Sequence, residues 1–67
     1  MKRHVVEIKG YKFHIIVDGL CYKIFPDGKR WYSSALSKGD ALETAIRDIK
    51  ENFLFYISWQ ILWICYN

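Results

Sequence analysis

Turn residues interrupt the front of this chain so often that only one kind of sheet fits between them. Lys9-Gly10, Asp18-Gly19 and Pro26-Asp27-Gly28 each carry turn chemistry. Gly accepts positive φ, Asp bonds its own backbone, and Pro presets φ. The intervening segments are too short for the dozen or more residues of a parallel crossover. Antiparallel strands remain.

The segments have the matching pattern. Tyr11, Phe13, Ile15 and Val17 alternate with Lys12, His14 and Ile16, the period of a half-buried strand. Asp18-Gly19 is a preferred pair for a two-residue type I′ hairpin. The return strand, Leu20 to Phe25, sets Leu20, Tyr22 and Ile24 on one side and Cys21, Lys23 and Phe25 on the other. His4 to Ile8 supplies a strand before this hairpin, and Arg30 to Ala35 another after it. Ser37-Lys38-Gly39-Asp40 then ends the pattern, and Asp40 with Glu43 forms a capping box. Leu42, Ile46, Ile49, Phe53, Tyr56 or Ile57, and Ile61 recur at helical spacing, opposite Arg47, Asp48, Lys50 and Glu51. The expected architecture is α+β in one domain, 1–67. It comprises an antiparallel meander of three or four strands over 1–36 and one long helix over 40–66. A helix fraying near Asn52, with the tail returning as an added strand, is the competing reading.

From Phe53 to Tyr66 the chain runs FLFYISWQILWICY, with polar residues only at Ser58 and Gln60. As a helix, this tail carries a second stripe of Phe55, Trp59, Leu62, Trp63 and Tyr66, beyond the one its own domain needs. A 67-residue chain with 52% hydrophobic residues has little left to cover that stripe, and cores of this size leave only about 3–5 kcal/mol of net stability. The expectation is a homodimer or higher oligomer through those five residues. A membrane span needs about 20 apolar residues, and an interfacial helix needs a Lys/Arg row. The tail has neither.

Charge is uneven. Residues 1–39 hold eight Lys/Arg and three acids, or +5; residues 40–67 hold two and four, or −2. Lys29, Arg30 and Trp31, with Lys23 nearby, make a basic and aromatic patch of the kind enriched in protein hot spots. With Tyr32 and Lys12 the same patch also suits phosphate contact and base stacking. Trp31 and Tyr32 alternate, so one of them faces the core. His4 and His14 have no His or Cys companion at metal spacing, and no Ser–His–Asp order or carboxylate pair is present. No cofactor, metal or catalytic residue is expected. Cys21 and Cys65 form no CxxC pair, and no secretory signal precedes them, which points to a reduced, cytoplasmic protein.

The stretch from Phe13 to Ile57 resembles the N-terminal module of HicB-like antitoxins. Tyr22 through Phe25-Pro26-Asp27 matches that family's strand end. Gly39-Asp40-Ala41-Leu42-Glu43-Thr44-Ala45 matches its helix start, and Ile49-Lys50-Glu51 the continuation. Gly28-Lys29-Arg30-Trp31 stands where the family has Pro-Gly-Cys, and no DNA-binding segment follows the helix. The resemblance implies a compact module that neutralises a protein partner by covering its active surface. Small phage-encoded inhibitors of host defence are similar in size and architecture. The leading expectation is a non-enzymatic inhibitor of antitoxin or anti-defence type, and the alternative a nucleic-acid-binding module using the basic sheet face.

Overall fold

The computed structural model describes residues 1–57. Four strands form one antiparallel sheet in chain order: β1 (Lys2–Ile8), β2 (Tyr11–Asp18), β3 (Cys21–Pro26) and β4 (Ser33–Leu36). A helix, α1 (Ala41–Glu51), follows, and residues 53–57 are again helical. The α+β meander expected from the turn spacing is present, with all four strands.

The first hairpin turns at Lys9-Gly10, where Ile8 pairs with Tyr11 and both loop residues have positive φ, +52° and +83°. Positive φ at both central positions is the type I′ signature. The second hairpin differs from expectation. Asp18 pairs with Cys21, so Gly19-Leu20 is the loop, and only Gly19 has positive φ. Glycine alone at the first central position belongs to type II′, whose twist also suits a hairpin. Asp18 and Cys21 thus stay in the ladder. Pro26 likewise remains the last residue of β3, paired with Phe13. The turn after it closes with Lys29 N–H donating to the Pro26 carbonyl at 3.1 Å. β4 begins at Ser33 rather than Arg30, because residues 29–32 are spent crossing from that turn to the sheet edge.

Asp40 caps α1 as expected: its carboxylate accepts from the Glu43 N–H at 3.0 Å. The Glu43 side chain does not complete the capping box; it accepts from Arg47 at 3.3 Å, one helical turn on. The expected single helix over 40–66 is corrected at its middle. α1 ends at Glu51, and Asn52 takes φ −115° and ψ 30°, outside the helical region. Its side-chain amide donates to the Asp48 carbonyl at 3.2 Å and to the Asp48 carboxylate at 2.8 Å. Such local bonds compete with helix propagation. The break turns the next helical stretch down onto the sheet.

The core lies between one face of the sheet and these helical segments. Phe13, Ile15, Tyr22 and Ile24 from the sheet meet Ala41, Ala45 and Ile49 from α1, and Tyr56 closes the end. The buried stripe of α1 is therefore Ala41, Ala45 and Ile49, with the expected Leu42 and Ile46 flanking it half-buried. Small alanines at two of these three positions let the helix sit close to β2 and β3. Each large buried side chain contributes about 1.5–3 kcal/mol. Rings continue the packing along the end of the sheet: Tyr56 lies edge-on to Phe13 at 6.0 Å and stacks on Trp31 at 5.7 Å. The competing strand reading fails for 53–57, which are helical; residues 58–67 lie outside the described part, with Trp59, Leu62, Trp63 and Tyr66 among them.

Candidate functional site

With α1 on one face, the described chain leaves the other face of the sheet open. Strand alternation decides what stands there. His14 and Ile16 of β2 and Lys23 and Phe25 of β3 occupy its middle, with Arg3, Val5 and Glu7 of β1 on one flank. Leu36 of β4, 72% exposed, lies opposite Cys21 on the other flank. Apolar and charged side chains are interleaved across this surface.

Two side-chain constellations give the face a defined chemistry. The Phe25 ring lies 4.9 Å from that of Tyr32, and the Lys23 ammonium stands 5.3 Å from the Tyr32 centroid. A cation over a ring is attracted by its quadrupole, so Lys23 holds Tyr32 at the surface, where it is 50% exposed. Across the sheet, Arg3 lies 3.3 Å from His14 Nδ1, and His14 Nε2 lies 2.8 Å from the Asp27 carboxylate. Guanidinium has donors only, so Nδ1 accepts and Nε2–H donates to Asp27. The His14 hydrogen bond, reinforced by the nearby cations, holds the Asp27 carboxyl below its usual range. His14 is thus a fixed link between β1 and the turn after β3.

The sequence-predicted partner residues divide between two surfaces. Lys23 stands on the open face, and Arg30 is exposed on the connection leading to it. Lys29 is half-buried and borders a cleft of about 310 Å³ between the Lys9-Gly10 turn, Asp27 and Tyr56. Trp31 turns the other way: it is the core-facing member of the Trp31–Tyr32 pair, stacked on Tyr56 and edge-on to Phe55. Tyr32, not Trp31, stands beside Lys23 and Phe25. Of the five expected oligomer residues, only Phe55 is described. It is 55% exposed and touches both Trp31 and Tyr56.

Sequence reasoning did not single out Arg3, Val5, Phe25 or the His14–Asp27 pair. The strand alternation already placed Phe25 beside Lys23. Joining Arg3 and Asp27 to His14, however, required the register of three segments. Beneath the sheet, the Tyr22 and Tyr56 hydroxyls both donate to the Asp48 carboxylate, at 3.1 and 3.4 Å. Burial and the Asp48 charge push Tyr22 up to about 12. Burial, partly opposed by a hydrogen bond to Ser33, raises Tyr56 as well.

Among the described residues, no group of three His, Cys, Asp or Glu side chains is placed to hold a metal ion. No helix there is long and apolar enough to cross a membrane. Comparison with protein-family models, curated proteins and solved structures finds no match to this chain.

Proposed function

We propose that this protein is a non-enzymatic inhibitor that binds and blocks a protein partner in the cytoplasm, in the manner of an antitoxin or a phage anti-defence protein. The observation that carries the reading is the open sheet face, where the Phe25–Tyr32 pair and Lys23 stand among Val5, Ile16 and Leu36. Tyrosine and arginine are enriched at the energetic centres of protein interfaces, and Tyr32 and Arg30 are both exposed here. Arg30 and Lys29 at the adjoining connection complete a basic rim that suits an acidic partner. Trp31 supports that connection from below.

Nucleic-acid binding is the second reading, and the exposed Tyr32 ring beside half-buried Phe25 favours it as a stacking platform. The charge pattern weighs against it: Arg3, Lys12 and Lys23 share the face with Glu7 and Asp18, so no continuous cationic track runs across it. The test begins with the partner co-purified from the native host and titrated with the pure protein. A Lys23→Glu, Arg30→Glu variant is expected to lose binding and inhibition with little change in Tm. Retained inhibition by that variant would remove the open face from the mechanism. Affinity that collapses as salt rises, together with displacement of the partner by single-stranded nucleic acid, would support the second reading instead.

A further inference from the structure

The two edges of the sheet are unlike. β4 is four residues long, whereas β1 pairs with β2 in unbroken register over seven residues and contains no proline. The Lys9-Gly10 loop sets the bonding parity of β1. Residues flanking a two-residue loop exchange backbone hydrogen bonds, so Ile8, Val6, His4 and Lys2 turn their N–H and C=O groups toward β2. Arg3, Val5 and Glu7 turn theirs outward, along an edge that no other described strand pairs with. An edge of this length is a template for another strand.

The side chains on that edge specify which strand fits. We propose that β1 is the seam of a homodimer, paired antiparallel with β1 of a second copy about a two-fold axis at Val5. In this register Val5 faces Val5 of the second copy, and Arg3 faces Glu7 on both sides of the axis. All three residues have outward backbone groups, so about six inter-chain hydrogen bonds form in phase. Opposite charges directly across an antiparallel pair are stabilising, and like charges are destabilising. Slipping the register by two residues sets Val5 against Arg3 or Glu7. A further slip opposes Arg3 to Arg3 or Glu7 to Glu7. Only the Val5-centred register sets Arg3 against Glu7 on both sides of the axis, and it is the self-complementary contact that two-fold symmetry demands. The Arg3 guanidinium retains donors for the second copy beyond the one aimed at His14. Val5, 57% exposed, gains cover from its counterpart. The product is a continuous eight-stranded sheet with both helices on one side and the two open faces joined on the other. Phe55 is already in contact with Trp31 and Tyr56, so this seam does not compete for it. The inference stands apart from the inhibitory reading and can fail without it.

The test is sedimentation of the full-length protein at micromolar concentration, with charge-swapped variants. Wild type is expected to dimerise, and Arg3→Glu and Glu7→Arg singly to raise the dimer Kd roughly tenfold or more. The double variant Arg3→Glu, Glu7→Arg restores the pairing and the dimer. Val5→Pro deletes an outward N–H at an edge position, where proline is tolerated, and should yield folded monomer. Amide exchange gives an independent reading: Arg3, Val5 and Glu7 N–H groups become protected as concentration rises. A monomer at about 100 μM would overturn the proposal. So would a dimer indifferent to both Arg3→Glu and Val5→Pro, which would place the seam elsewhere. A charge swap that fails to rescue would overturn the Val5-centred register, even if Val5→Pro unfolds the chain.

Discussion

Single residues set the chemical limits of this fold, and its titrations show how. His14 bonds Asp27 in the folded state, so the Asp27 carboxylate is favoured over its acid. A depressed carboxylate contributes stability above its ordinary value of 3.8. That contribution is lost as pH falls through the folded value. Thermal melts from neutral pH down to about pH 2 should therefore show Asp27→Asn below wild type at neutral pH, with the gap closing in acid. Tyr22 behaves in the opposite sense. Its folded value of about 12 lies above the ordinary 10.0, so its contribution is complete below pH 10 and lost as pH rises through 12. An absorbance titration should lose a tyrosine step near pH 12 in Tyr22→Phe. Gly10, at φ +83°, meets no atom that an added Cβ would strike. Gly10→Ala should still cost about 1 kcal/mol in urea unfolding, because the conformation itself is strained for an L side chain.

At the scale of elements, the ends of α1 carry the instructive contrast. Its start was legible, because Asp40 is a strong N-cap wherever a helix follows, and the bond to Glu43 N–H is present. Asp40→Ala should cost about 1 kcal/mol, while Lys50→Gln on the exposed side stays within about 0.5 kcal/mol. Chemical denaturation of the pair checks both. Its stop at Asn52 was foreseen only in the competing reading, because no Gly or Pro marks that residue. The stop is made by Asp48, whose carboxylate gathers Asn52, Tyr22 and Tyr56 from three parts of the chain. Asp48→Ala strips the acceptor from two buried hydroxyls and should cost about 1–3 kcal/mol or more. The same melts would detect it. The hairpins show a similar division. Turn positions were readable to within a residue, but Asp18 entered the ladder and Leu20 entered the loop because strand register, not dipeptide preference, chose among glycine turns.

At the scale of the whole described fold, one helical layer on a four-stranded sheet leaves stability graded across the strands. β2 and β3 are paired on both sides and covered by α1, so their amides should exchange slowest, with β4 and residues 53–57 opening first. Hydrogen exchange read by mass spectrometry or NMR checks that order, and Ile24→Ala at the centre should cost about 2–5 kcal/mol. The periodicity of two, the glycine turns and the Asp40 cap were enough to determine an antiparallel meander followed by a helix, since each acts through neighbours in the chain. Alternation also set Trp31 and Tyr32 on opposite sides, although both lie on the connection before β4 rather than in the expected strand. Which of the two faced inward was settled by Tyr56, a residue 25 positions away that offers a ring to stack on. The open face was likewise a tertiary outcome. Local pattern marks both faces of a strand, but only the packing of α1 and Tyr56 against one of them left Lys23, Phe25 and Tyr32 on the other.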